Sequence, residues 1–426
     1  MIIYYFMKWY LGWMAKLYYR RIYFKGYELI PDGKPAIFAS NHPAAFMEPI
    51  ILGSTVRSPL SFLVLASYIA NRWLQWFFRS LKMVPIYRAD ISGRETLKKN
   101  ESTFQYVYDS LQKNAHILIF PEASTSFVYQ LRPLKKGIAR MSVGFLDKNP
   151  DKDMYIVPVG VNFIHPSRFR SDVFVDVGTP IDLRKLPAAD EAVMINQIVK
   201  ATSDGMSKVV YNMSDEKKQN TTAFCIQMID NSFGGKRSVF GQILRHDATF
   251  VHRIKNLTVL IDQMSDEQFS VLENKINEYR HLLRSVHLTD SVLVPSGTSF
   301  FVFALISLLG LPFFVIALVL NSLHLLFSWY LRKFRIERQE FQAPVTLAAG
   351  AIFILVSSLI FIILGIFLEP MLLGLVVALP LSLVVGVFYY DHLEYVFRKI
   401  RWILLESTKK DSLNVFRNEI ISIIVK

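Results

Sequence analysis

The chain has one cysteine, Cys225, in 426 residues. That excludes an internal disulfide framework and suits a reducing compartment. It has no His-Glu-x-x-His, no Cys/His pairing at metal-ligand spacing and no glycine-rich phosphate loop, so neither a metal nor a cofactor is expected. Acid is scarce relative to base: 35 Asp and Glu against 48 Lys and Arg leave a net charge of +13. An excess of that sign suits nucleic acid or an anionic lipid surface. With 52% hydrophobic residues and 14% aromatics the chain is more apolar than soluble domains, so membrane lipid is the expected partner and nucleic acid is not. Charge vanishes altogether between Ser291 and Leu331, a run without Asp, Glu, Lys or Arg.

At 1.5 Å per residue that run would make a helix about 60 Å long, twice a bilayer core. Gly310 and Pro312 interrupt it, so residues 299–330 are expected to turn as a re-entrant hairpin or to form two short helices. Residues 346–368 and 371–390 read as two ordinary spans joined at Glu369 and Pro370. Together these predict a membrane region over 296–392, followed by a cytoplasmic tail at 393–426. Arg332, Lys333, Arg335 and Arg338 precede the pair of spans, and Arg398, Lys399 and Arg401 follow it. Both flanks, and with them the catalytic domain, are therefore expected on the cytoplasmic face. At the other end, residues 1–25 interleave aromatics with Lys8, Lys16, Arg20, Arg21 and Lys25. This mixture predicts a helix lying at, or dipping into, a membrane interface rather than a cleaved leader.

Residues 26–185 have the periodicity of an α/β domain. The runs "PAIFAS", "LSFLVLAS", "KMVPIYR", "HILIFPE" and "YIVPVGVNF" predict strands of a central, largely buried sheet flanked by helices. Between two of them, Ser92 and Glu95 are spaced as a capping box, and Leu97, Phe104, Val107, Tyr108 and Leu111 share one face of a crossover helix. Residues 186–295 turn helical and polar, which predicts an accessory region. There Ser265 and Gln268 form a second capping box ahead of a stripe of Phe269, Leu272, Ile276, Tyr279 and Leu283.

In such sheets chemistry gathers where strands end. The residues just past the apolar runs are His42, Arg88, Glu122 and Asn162. The stretches around them read "NHPAAFMEP", "LKMVPIYR", "FPEASTS" and "IVPVGV". Their order and spacing resemble the glycerolipid acyltransferase family, the PlsC-like fold that includes glycerol-3-phosphate and 1-acylglycerol-3-phosphate acyltransferases. The five residues between His42 and Glu48 resemble the branch acylating glycerol 3-phosphate or dihydroxyacetone phosphate, although that branch usually carries aspartate there. The resemblance implies that Arg88 grips the acceptor phosphate and that Glu122 positions the glycerol backbone. Ser124 and Ser126 keep the hydroxyls of the third block. Ala123 and Thr125 stand where the family has glycine and arginine, so the missing cation is expected from Arg132, Lys135 and Lys136, with Lys135 and Lys136 as substrate contacts. His165, Arg168 and Arg170 resemble further basic residues of the same branch.

A histidine and an acid six positions apart lie about 9 Å apart along an ideal helix and roughly 120° apart around it. The segment must therefore bend, and a single turn at 44–47, with Pro49 forcing Glu48 out of helical geometry, is the expected device. So arranged, Glu48 would orient His42, and His42 would take the proton of a substrate hydroxyl that attacks an acyl thioester directly. The expected function is a membrane-bound O-acyltransferase using acyl-CoA or acyl carrier protein as co-substrate and glycerol 3-phosphate as acceptor. Acylation of 1-acylglycerol 3-phosphate, or an inactive lipid-binding scaffold on the same fold, are the alternatives.

Overall fold

A computed structural model describes residues 1–425 apart from 69–71, 88–97, 188–189, 214, 234–243, 246–247 and 295–298. Arg88, the Ser92–Glu95 pair and Leu97 lie outside the described residues. The chain divides into two compact units, one of residues 1–212 with 244–251, the other of residues 213–243 with 252–426.

The first unit is built on a mixed sheet. Its described strands are β1 (Arg21–Lys25), β2 (Ala36–Ser40), β3 (Leu60–Leu65), β4 (Met83–Ile86), β5 (His116–Ile119), β6 (Tyr155–Phe163), β7 (Asp172–Val177), β8 (Ile181–Asp182) and β9 (Leu244–Arg245). The order is β4-β3-β5-β2-β6-β7-β1-β9, with β8 on β6. Neighbours are parallel except where β6 meets β7 and β8. Every residue of β2 and β5 is buried, as expected of central parallel strands covered on both faces.

Helices α1 (Ile2–Tyr18), α2 (Met47–Thr55), α3 (Arg72–Ser80), α4 (Asn100–Gln112), α5 (Gly137–Lys148) and α6 (Glu191–Ser207) belong to the same unit. Val107 and Leu111 of α4, Ile138 and Phe145 of α5, and Ile198 and Met206 of α6 share one core with Ile37 and Ile117 of the sheet. This is the α/β architecture predicted, with two changes of boundary. Residues 21–25 are not the end of the interfacial helix: β1 pairs with β7 from Arg21↔Asp172 to Lys25↔Asp176, and Ile22, Tyr23 and Phe24 are core. The accessory region does not start at 186 either, because α6 buries its apolar face in the first unit's core.

The second unit is helical: α7 (Glu216–Phe233), most of α8 (Ala248–Asp262), α9 (Asp266–Ser285), α10 (Phe300–Phe334), α11 (Gln342–Phe367), α12 (Leu373–Leu404) and α13 (Ser407–Ile424). Ser265 and Gln268 close the capping box of α9, and its predicted stripe, Phe269 to Leu283, is buried. Among the described residues three helices, containing α10, α11 and α12, are long and apolar enough to cross a membrane.

The predicted hairpin at 299–330 is absent, since α10 runs unbroken through Gly310 and Pro312. A proline removes one backbone donor, at 312 the one that would meet the Leu308 carbonyl, and a helix packed among others tolerates that loss. Here the Tyr389 hydroxyl of α12 donates to the Ser307 carbonyl, and Gly310 leaves room for the Tyr389 ring, which a Cβ at that position would strike. Glycine thus serves a close helix crossing and not a turn. Phe303 packs on His392 and Tyr395, Ala317 lies opposite Gly386, and Asn321 donates to Ser382 at 2.9 Å. These pairs run in opposite chain directions, so α10 and α12 are antiparallel.

Candidate active site

β2 and β5 are adjacent and parallel, with Ala39 opposite Ile119, so their carboxyl ends deliver His42 and Glu122 side by side. Asn41 fixes the first of these. Its side chain donates to the Val161 carbonyl at 3.1 Å and accepts from the Val161 amide at 2.8 Å, which extends the β2–β6 ladder by one residue. The His42 ring then stacks on Phe120, with centroids 4.0 Å apart and planes 14° apart.

The chain turns back directly after Pro43. Ala45 takes a left-handed conformation, φ 51°, and the Met47 amide donates to the Ala44 carbonyl at 3.1 Å. The turn is tighter than the helical turn predicted at 44–47. Glu48 is itself helical, in the first turn of α2, and Pro49 does not expel it. A proline in the first turn gives up an amide that has no partner within the helix anyway. Glu48 is completely buried, and one carboxylate oxygen accepts from the Ala44 amide. The other lies 3.3 Å from His42 Nδ1. That spacing suits an ion pair, but the alignment falls short of a hydrogen bond. The His42 side chain keeps 19% of its surface exposed.

Glu122 is held by three protein donors. One oxygen accepts from the Arg132 amide at 3.0 Å; the other accepts from the His42 amide at 3.2 Å and from Arg132 Nη2 at 2.7 Å. Arg132 Nη1 donates to Ser124 Oγ at 2.5 Å, and Nη2 also donates to the Ser124 carbonyl. The Ser126 amide donates to the His42 carbonyl at 3.3 Å. Ala123, standing in place of a glycine, sits at φ 60°. The loop therefore keeps a glycine's backbone geometry with an alanine's side chain.

The predicted residues are brought together unequally. His42, Glu48, Glu122, Ser124 and Ser126 form one connected cluster at the ends of β2 and β5. The Lys135 and Lys136 side chains are exposed, although the Lys135 amide donates to the Pro121 carbonyl at 2.8 Å. Asn162 bridges the Val209 carbonyl and the Tyr211 amide inside the unit and is a packing residue. Arg170 Nη1 donates to the carbonyls of Leu17 and Tyr19 at 3.1 and 2.9 Å, so it fastens the end of α1. Arg132 is the residue whose weight the sequence understated, because ten positions of loop hide its pairing with Glu122.

A family model described as Acyltransferase matches residues 21–162, from β1 into β6, a stretch that contains the whole cluster. The match lies wholly within the first unit. Glycerol-3-phosphate O-acyltransferase 1 of Saccharomyces cerevisiae is 35% identical over 118 residues, 26% of this chain and 16% of that protein. Glycerol-3-phosphate O-acyltransferase 2 of the same yeast is 35% identical over 82 residues, 19% of this chain and 11% of that protein. The chain thus spans less than a fifth of the length of these relatives. Among solved structures, the 1-acyl-sn-glycerophosphate acyltransferase PlsC of Thermotoga maritima aligns with a TM-score of 0.33 and 17% identity, covering 46% of this chain and 78% of that one.

Proposed function

We propose that the protein is a membrane-anchored acyltransferase that moves a fatty acyl group from an acyl thioester to a hydroxyl of glycerol 3-phosphate. The observation that carries this reading is the His42–Glu48 pair, built at a strand end inside a domain of the acyltransferase family. Glu48, fixed by the Ala44 amide and by the positive end of α2, faces Nδ1 and stabilises the imidazolium. Nε2 is then the base. It takes the hydroxyl proton as that oxygen attacks the thioester carbonyl; the C–O bond forms, the C–S bond breaks, and the proton passes to the leaving sulfur. Cys225 is buried, and burial pushes its thiol up to about 12, so it supports no acyl-enzyme step.

The proposed side of the membrane is supported by contacts within the second unit and by charge. Arg398 Nη1 donates to Thr289 Oγ1 at 3.0 Å, Lys399 Nζ to the Val292 carbonyl at 2.8 Å, and Arg417 Nε to Asp290 at 2.8 Å. The segment ahead of α10 and the segment that ends α12 therefore share one face. The acyltransferase domain would share that face if its acyl thioester is supplied from the cytosol. With Arg280, Arg284, Arg398, Lys399, Arg401, Lys409 and Lys410 near it, against Arg332, Lys333, Arg335 and Arg338 at the far end of α10, this face is the more basic and is cytoplasmic. Helix α1 adds a second lipid contact: Ile2, Tyr5, Phe6, Trp9 and Trp13 are exposed along one side, and Lys16 lies over Trp13.

The test is His42→Ala in reconstituted protein supplied with acyl-CoA or acyl carrier protein and with glycerol 3-phosphate. Loss of a general base is expected to cost about 10²- to 10⁴-fold in turnover, with the thermal midpoint unchanged. Turnover above a tenth of wild type would remove His42 from the chemistry.

A further inference from the structure

His42 is held at its backbone and faced by a carboxylate, but neither restraint sets the plane of its ring. The Asn41 side chain fixes the main chain one residue earlier. Glu48 lies 3.3 Å from Nδ1 without the alignment of a hydrogen bond, so it supplies charge and little direction. The torsion that turns a histidine ring about its Cβ–Cγ bond is broad and does not hold the ring by itself. A base whose lone pair lies in the ring plane therefore needs a further restraint. The Phe120 ring is placed to give it, with its centroid 4.0 Å from that of the imidazole and its plane 14° from parallel.

The sheet puts the two rings together. Ile37 and Ala39 of β2 and Ile117 and Ile119 of β5 share the core with α4, α5 and α6. Successive side chains of a strand alternate between faces, so Phe38, Ser40 and Leu118, with Phe120 just past the end of β5, belong to the opposite face. Ala39 is level with Ile119, which brings Ser40 level with Phe120 and puts His42, two residues further on, along the same side. The loop then ties both residues down. The Ala123 amide donates to the Phe120 carbonyl at 3.0 Å, and the Ser126 amide to the His42 carbonyl at 3.3 Å.

The stack also discriminates between the two states of the base. An aromatic ring carries negative faces, so two neutral rings prefer an offset or edge-on arrangement, whereas a cation over a face is attracted to it. A near-parallel pair this close suits imidazolium better than imidazole. Positive charge reaches His42 only as the hydroxyl proton is transferred. An interaction that strengthens with that charge lowers the barrier more than it stabilises the bound substrate.

We propose that Phe120 is the positioning residue of the base: it sets the plane of the His42 ring and stabilises the imidazolium. The proposal rests on the acyltransferase reading of the site. Phe120 acts through His42, so its effect belongs in kcat.

The full chain in lipid nanodiscs is assayed with acyl-CoA and glycerol 3-phosphate as wild type, Phe120→Tyr, Phe120→Leu, and with pentafluorophenylalanine incorporated at 120. The fluorinated ring keeps its shape and reverses the sign of its faces. Phe120→Tyr is expected to retain most of the turnover, and Phe120→Leu to lower kcat about 10-fold or more with KM for both substrates unchanged. The fluorinated ring is expected to lower kcat about 3- to 10-fold at an unchanged thermal midpoint. In a His42→Ala background Phe120→Leu should cost nothing further. Wild-type kcat with the fluorinated ring, a loss confined to KM, or an equal loss from Phe120→Leu with and without His42 overturns the proposal while leaving His42 as the base. Turnover above a tenth of wild type in His42→Ala alone would instead sink the reading of His42 as the base, and the role of Phe120 with it.

Discussion

Two alanines hold backbone geometry that glycine adopts freely. Ala45 at φ 51° folds the chain so that Glu48 comes back to His42, and Ala123 at φ 60° shapes the loop that presents Glu122. A left-handed residue with a Cβ costs about 1–2 kcal/mol, while glycine loses roughly 0.5–1 kcal/mol more backbone entropy on folding. Relief of strain outweighs that loss of entropy, so Ala123→Gly is expected to stabilise the protein by about 0.5–1 kcal/mol and raise its thermal midpoint by about 2 °C. A lower midpoint would mean that the methyl group of Ala123 contributes packing worth more than the strain. Glu48 raises the matching question of charge against reach. Its carboxylate is buried between the Ala44 amide and His42, so Glu48→Gln keeps the shape and removes the counter-charge of the imidazolium. Turnover of Glu48→Gln is expected to fall by about 10²-fold or more, with Glu48→Asp retaining part of it. Equal rates for Gln and wild type would make the pair structural.

The elements that the sequence makes plain are those decided by local pattern. β2, β3, β4, β5 and β6 are short apolar runs bounded by polar residues, and each lies within three residues of its expected place. The α9 stripe is read without error because a capping box sets its phase. What the sequence hides is decided by distant partners. β1 looks like a continuation of an aromatic helix until β7, about 150 residues later, supplies its ladder. Gly310 and Pro312 look like a break until Tyr389 fills the space beside them. The pairing of Arg132 with Glu122 depends on a loop whose path no periodicity encodes. Helix α1 joins the two kinds of information. Its apolar character is legible, but its seat on α2 is not: a Cβ on Gly12 would lie 2.7 Å from Ser54 Cβ, and Lys8 Nζ donates to the Val56 carbonyl at 2.5 Å, where α2 ends. Because α2 carries Glu48, disturbing this seat should reach the active site. Gly12→Leu is expected to destabilise by about 1–3 kcal/mol and to lower turnover several-fold without changing KM for the acceptor. Adding Ser54→Gly should restore part of both; a double variant no better than Gly12→Leu alone would locate the damage elsewhere.

At the scale of the whole membrane region, the pairing of α10 with α12 constrains how the chain passes through the bilayer. Three complete crossings would leave the start of α10 and the end of α12 on opposite faces. They are instead together, with Phe303 beside Tyr395 and the Arg398–Lys399 segment bonded to Thr289 and Val292. One passage out along α10 and one back along α12 satisfy this arrangement. Helix α11 begins eight residues after α10 ends, and its Gly365 lies against Leu373 at the start of α12. If α10 and α12 are the two passages, both ends of α11 lie on the far side and it completes no third one. On the orientation proposed above, the basic residues Arg332 to Arg338 face away from the cytoplasm, where charge statistics alone would not put them. Single cysteines at Asp266, Gln339, Glu369 and Lys409 test this in sealed vesicles. Native Cys225 need not be removed, since its buried thiol, pushed up to about 12, remains protonated and unreactive. Asp266 and Lys409 are expected to react with an impermeant maleimide from the cytoplasmic face, and Gln339 and Glu369 from the opposite one. If Asp266 and Lys409 label from different sides, all three helices cross, and the antiparallel α10–α12 pair does not persist in the bilayer.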